Sequence, residues 1–204
     1  MNDLDIFFNK DIKKFAQSYF NHLSNIFDKI NLENIEAFSK QLISCSEKNT
    51  NIFFIGNGGS AATASHFAND IAVGTKSKNK PFRAISLTDN QAILSAIGND
   101  YGYEYIFKKQ LQVYAKKGDM LVSISASGNS KNLINAVEYC NKNNINTFSL
   151  TSFDGGILKK ISNYNLHIPT KVGEYGPAED LHMIIAGLVG SYLIRYVKKE
   201  INFS

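Results

Sequence analysis

Apolar positions fall into two textures along the chain. In the first, Phe8, Ile12, Phe15, Tyr19, Leu23, Ile26 and Ile30 recur at spacings of three and four, which predicts one stripe along a long helix. A second helix is expected from Leu32 to Ser46, with Ile35, Phe38, Leu42 and Ile43 on one side. Such a stripe needs a partner, and its spacing fits the chain's own core and the equivalent helix of another subunit equally well. After Asn49-Thr50-Asn51 the apolar residues come in short runs that end in small or polar residues and lead into helical periodicity. Strands are expected at Ile52–Ile55, Ala84–Leu87, Met120–Ile124, Thr147–Leu150 and Leu166–Ile168. Helices are expected near Ser60–Val73, Asn90–Ile97, Tyr103–Ala115, Asn129–Asn141, Gly156–Ile161 and, with Pro at its start, Pro177–Lys199. Strands alternating with helices imply a parallel sheet covered on both faces, because parallel neighbours require a crossover.

Composition narrows the class. At 204 residues, 44% hydrophobic and 20% charged, with three Pro, the chain reads as one ordered domain with an added element. The net charge of +4 is spread over pairs such as Lys116-Lys117, with Arg83 and Arg195 the two arginines, so a nucleic-acid footprint is not expected. No uninterrupted apolar run approaches the ~18 residues of a membrane span. Cys45 and Cys140 show no metal or redox spacing, which suits a reducing cytoplasm.

Two strand ends carry candidate chemistry, since ligands of open parallel sheets bind at the carboxyl ends of strands. Ile55-Gly56-Asn57-Gly58-Gly59-Ser60 runs from a strand through a glycine-rich turn into a helix, whose free N–H groups suit an anion; a tight turn with Ser60 as helix cap fits it equally. The spacing is neither G-x-G-x-x-G nor a Walker loop, which argues against dinucleotides and nucleoside triphosphates. Ser123-Ile124-Ser125-Ala126-Ser127-Gly128-Asn129-Ser130 ends a buried strand in clustered hydroxyls. Ser125, Ser127 and Ser130, with the N–H groups between them, make a neutral cup that can hold a phosphate monoester, with plain helix capping as the alternative.

Gly56-Asn57-Gly58-Gly59-Ser60-Ala61-Ala62 with His66, then Ala96-Ile97-Gly98-Asn99-Asp100-Tyr101-Gly102, then Ser125-Ala126-Ser127-Gly128-Asn129-Ser130, resemble in order and spacing the sugar isomerase (SIS) domain, in its phosphoheptose isomerase branch. The resemblance covers about residues 50 to 197. It implies a single α/β SIS domain at 50–204, with a five-stranded, flavodoxin-like parallel sheet and helices on both faces. Residues 1–49 would add an N-terminal helical extension used in oligomerisation. It further implies a homotetramer with sites formed between subunits and a phosphorylated sugar as ligand. Ser125, Ala126, Ser127 and Ser130 would hold the phosphate, while Asn57, Gly58, Gly59, Ser60, Asn99 and Asp100 would contact the rest of the substrate.

The reaction implied interconverts sedoheptulose 7-phosphate and D-glycero-D-manno-heptose 7-phosphate for surface polysaccharide synthesis, moving a proton between C1 and C2. It needs a base and a group that stabilises the oxyanion. The family's pattern places a His with a Glu one turn on, and a Gln with a His two turns on, as a set able to hold zinc. Here His66 pairs with Asp70, Glu179 stands at the Gln position, and Gly187 at the distal His. The arginine one turn past the first carboxylate is replaced by Gly74. Two arrangements are compatible with these departures. His66, Asp70 and Glu179 would ligate a divalent metal such as zinc, or Glu179 would be the base with His182 as proton partner and Asp70 in support. His22 and His167 read as structural. The other reading is a non-catalytic sugar-phosphate-binding or scaffold protein that retains the fold.

Overall fold

A computed structural model describes residues 2–202, with side chains described through residue 198. Strand β1, Asn51–Gly56, is buried from its second residue on. Its Ile52 and Phe54 enter one apolar cluster and its Phe53 and Ile55 another, so an unalternated apolar run is what a strand covered on both faces requires. β2 (Arg83–Ser86), β3 (Met120–Ser125), β4 (Asn146–Thr151) and β5 (Tyr164–His167) complete a sheet of order β2-β1-β3-β4-β5, parallel throughout. The expected five-stranded architecture is therefore present. Chain direction across the sheet reverses between β1 and β3, and their carboxyl ends open a crevice at that switch point.

On one face, α3 (Leu32–Glu47), α4 (Gly59–Asn69) and α9 (Tyr175–Asn202) bury Phe38, Phe67, Leu181 and Val189 against Phe54 and Phe148. Phe38 stacks on Phe148 with ring centroids 4.2 Å apart. On the other face, Phe53, Ile55 and Leu121 pack with residues of α5 (Gln91–Tyr101), α6 (Ile106–Tyr114), α7 (Lys131–Lys142) and α8 (Leu158–Ile161). Burial of each large apolar side chain contributes roughly 1.5–3 kcal/mol.

Several elements differ from the periodicity reading. The N-terminal stripe is broken into α1 (Asp3–Phe7) and α2 (Ile12–Phe27). Asn9 Oδ1 accepts the Asp11 N–H at 2.9 Å and Asp11 Oδ1 accepts the Lys13 N–H at 3.0 Å, so local side-chain caps override the continuing apolar spacing. Ile26 and Ile30 enter the chain's own core, whereas Phe8, Ile12 and Phe20 stay exposed. The helix after β1 leaves α geometry at Asn69 and continues as a π-helical turn, Asp70–Gly74. Tyr103–Tyr105 is a 3-10 turn leading into α6. α9 starts at Tyr175, so Pro177 lies within its first turn, where an absent N–H costs nothing. By length and composition alone α9 would suffice to cross a membrane, with mean hydropathy 1.2 over eighteen residues. Its Leu181, Ile185, Ala186, Val189 and Leu193 are core residues here, and that accounts for its apolar composition.

Candidate active site

At the switch point, the ends of β1 and β3 and the first turn of α9 enclose a polar cleft of about 160 Å³. Asn57, Ser60, Ser125, Ala126, Ser127, Ser130, Tyr175 and Glu179 line it, with Ile124 and Leu133. The glycine turn shapes one wall. A side chain at Gly56 would collide with the Ser60 carbonyl, and Gly58 adopts φ +55° as the N-terminal boundary of α4 without any side-chain cap. Glu179 fills the space that a Cβ at Gly59 would need, so a carboxylate lies against the amino end of α4.

The serine loop forms the opposite wall. Ser125 Oγ accepts the Gly128 N–H at 3.0 Å, and Ser127 Oγ accepts the Asn129 N–H at 3.3 Å. Ser130 precedes α7 in extended geometry, yet its hydroxyl makes no capping bond. That hydroxyl lies at the cleft wall without a capping role. The loop is braced by the one after β4: Ser152 N–H donates to Ala126 O at 3.0 Å, Leu158 N–H to Gly128 O at 3.0 Å and Ile157 N–H to Asn129 Oδ1 at 3.1 Å. Gly128, Gly155 and Gly156 all have positive φ, and a Cβ on Gly128 or Gly156 would strike the backbone of the facing loop.

The structure gathers Asn57, Ser60, the four serine-loop residues and Glu179, with Gly58 and Gly59 in the adjoining turn. It does not gather the expected metal set. His66 Nε2 and Asp70 Oδ2 are 3.2 Å apart and partly exposed, but two turns of α4, about 10 Å of axis, separate His66 from the Gly59 level where Glu179 lies. Among the described residues, three potential ligands converge within 4.8 Å only at Asp3, His22 and Glu174. A Cβ at Gly187 would meet nothing within 4 Å, so the position of the absent histidine is open space. A zinc ion is therefore not fitted by these residues within one chain.

His182 is wholly buried, with burial driving its pKa down to about 4 despite the opposing Thr151 backbone. Nε2 lies 3.3 Å from Ser152 Oγ, and among the described residues none lies in hydrogen-bonding geometry to Nδ1. His182 is packed in the core and does not line the cleft, so the structure does not place it beside Glu179 as the cleft's proton partner, contrary to the expectation for this residue. The signal was present in the sequence: His182 falls on the same helical stripe as Ala178, Leu181, Ile185 and Val189. Asn99 and Asp100 are exposed at the end of α5, hydrogen-bonded to each other at 2.9 Å, and do not line this cleft.

His22 and His167 do have polar partners. His167 Nδ1 is 3.2 Å from Thr151 Oγ1, and His22 Nε2 is 3.2 Å from Glu174 Oε2. Glu174 is wholly buried just before α9 and also accepts the N–H groups of Asp3 and Lys171, each at 3.0 Å. Lys171 Nζ bonds Asp3 Oδ1 at 2.5 Å, so this cluster already contains its cation. Beside it, Tyr19 donates to Asp180 Oδ2 at 2.6 Å. The N-terminal helices thus clasp the turn of α9 that carries Tyr175 and Glu179. Tyr175, Tyr103, Asn132 and the Gly155-Gly156 pair were not singled out by sequence reasoning; only the glycine pair left a local signal there.

Residues 15–152 match the family described as SIS domain. Among curated proteins, the phosphoheptose isomerase of Leptospira biflexa is 38% identical over 172 residues, covering 83% of this chain and 85% of that protein. That of Aneurinibacillus thermoaerophilus is 36% identical over 182 residues, covering 89% and 91%. Among solved structures, phosphoheptose isomerase GmhA from Neisseria gonorrhoeae superposes with a TM-score of 0.80 at 27% identity, covering 89% of this chain and 98% of that one. A phosphoheptose isomerase from Francisella tularensis gives 0.81 at 26%, covering 96% and 100%.

Proposed function

Because the chain belongs to the phosphoheptose isomerase family of SIS-domain proteins, we propose that it interconverts sedoheptulose 7-phosphate and the aldose D-glycero-D-manno-heptose 7-phosphate, supplying surface polysaccharide synthesis in the cytoplasm. The observation that carries this reading is a cleft in which Ser125, Ser127 and Ser130 face a carboxylate, Glu179. Ser127, Ser130 and adjacent N–H groups hold the phosphate. Glu179 removes the proton from the carbon beside the carbonyl, the electron pair forms the enediolate double bond, and the carbonyl oxygen takes the charge. Return of a proton to the neighbouring carbon, with a proton shift between the two oxygens, completes the isomerisation. No step is assigned to a metal ion, since the donors do not converge in one chain. Incubation with ketose phosphates in deuterated water tests the reading: deuterium should enter at C1 or C2. A protein that binds sugar phosphate but exchanges no proton, with or without zinc, is instead the non-catalytic binder, a reading favoured by the open space at Gly187.

Ser127→Ala should weaken sugar-phosphate binding by roughly 1–3 kcal/mol, the worth of a charge-assisted hydrogen bond. Isothermal calorimetry measures it, and an unchanged dissociation constant would remove Ser127 from the site.

A homotetramer is part of the proposal. Phe8, Ile12 and Phe20 on the N-terminal segment, and Ile184, Leu188 and Tyr192 on α9, are exposed apolar residues that burial between subunits would cover. Asn99, Asp100 and His66, absent from the cleft of their own chain, would then be contributed to that of a neighbour. Light scattering at micromolar concentration should report four chains; a folded monomer would contradict it.

A further inference from the structure

Asn57 lies in the cleft wall, and its side-chain amide belongs to a closed arrangement that fixes which of its ends meets a ligand. Its Nδ2 donates to Asn132 Oδ1 at 3.0 Å, and Asn132 Nδ2 donates back to Asn57 Oδ1 at 2.8 Å. A reciprocal amide pair reads the same when both members are turned over, so by itself it sets no orientation. One further contact breaks the symmetry, and another completes the arrangement it sets. Asn132 Oδ1 also accepts the Leu133 backbone N–H at 3.0 Å, and a backbone N–H can only donate. Asn132 is buried in the first turn of α7, so its oxygen is held toward Leu133 and its nitrogen toward Asn57. Tyr103 supplies the second contact, its hydroxyl donating to Asn57 Oδ1 at 3.1 Å.

Both lone pairs of Asn57 Oδ1 are therefore engaged, while Nδ2 has used one of its two hydrogens, and among the described residues nothing takes the other. The geometry points to Asn132 and Tyr103 as positioning residues that present Asn57 to the cleft as a hydrogen-bond donor alone. Its partner is an unprotonated ligand oxygen, and in the isomerisation proposed above, on which this inference rests, it is the carbonyl oxygen that becomes the enediolate oxyanion. A donor held at that oxygen before the reaction begins stabilises the charge as it forms. An amide free to turn over would present its own oxygen to the oxyanion half of the time.

A double-mutant cycle on kcat and KM for sedoheptulose 7-phosphate tests this, using Asn57→Ala, Asn132→Ala and Tyr103→Phe. Asn57→Ala should lower kcat about 100-fold, as loss of one oxyanion donor does. Tyr103→Phe should lower it roughly 2- to 10-fold, the worth of one hydrogen bond. Asn132→Ala should cost about 10-fold or more, and in the Asn57→Ala background both second substitutions should change kcat less than about twofold, because they act through Asn57. Effects that add in the double variants, or an unchanged kcat in Tyr103→Phe, overturn the inference; if Asn132→Ala does not fold, the Tyr103 cycle decides alone. A wild-type protein with no turnover would defeat the isomerase reading instead. The same cycle, read in dissociation constants for the sugar phosphate, would then decide whether the amide is positioned as a donor.

Discussion

Glu179→Gln should lower turnover by about 100- to 10,000-fold, the range lost with a general base, while leaving sugar-phosphate affinity nearly unchanged. The substitution keeps shape and removes charge. Glu179 lines the cleft opposite the serine loop, packs against Gly59, and has no hydrogen-bond partner among the described residues, so its oxygens are free to take a proton. The experiment separates two roles that the sequence left open. A residue acting through a metal ion would keep substantial turnover as Gln once zinc is supplied, since an amide oxygen can still ligate. A base cannot be rescued that way. Stopped turnover with and without zinc, at an unchanged dissociation constant by calorimetry, is the expected result; restoration by zinc would return Glu179 to the role of ligand.

Gly128→Ala should be the most destabilising small change in the site, by about 2–5 kcal/mol, combining a left-handed backbone with a steric clash. Its φ is +65°, and the added methyl would fall well inside contact distance of the Gly155 carbonyl. For a chain of this size that corresponds to a drop of roughly 4–20 °C in Tm. Gly58→Ala is the natural control, because Gly58 has φ +55° with nothing near its missing Cβ. It should show the backbone cost without the collision and melt closer to wild type. Equal losses in the two variants would mean that interlocking of the two loops adds nothing to stability.

The sheet was legible because its strands are short apolar runs that end in small or polar residues, and both loops that line the cleft announced themselves by composition. Boundaries failed where side chains competed with periodicity, as Asn9 and Asp11 do in interrupting the N-terminal stripe. In the site, the residues within one motif could be read together, whereas convergence of distant ones could not. Nothing local to Asn132 says that it will face Asn57, and nothing local to Glu179 says that it will lie on Gly59. Equally, the i to i+4 pair His66 and Asp70 was legible as a pair, but its distance from Glu179 depends on how α4 and α9 run side by side. Gly59 lies against Glu179 and Gly190 against Asp70, at equal separations along both helices. The two acidic residues are thus held at different levels of one helix pair.

The clasp at Glu174 has a reciprocal side. Its carboxylate is shut away from solvent, so dissolved salt screens its hydrogen bonds far less than it would a surface pair. Whatever steadies the first turn of α9 from the cleft must therefore steady α1 and α2 from below, by the symmetry of linked equilibria. Sugar phosphate resting against Tyr175 and Glu179 would slow amide hydrogen exchange in helices that it never touches. The opening of those helices would in turn report, at a distance, whether the site is filled.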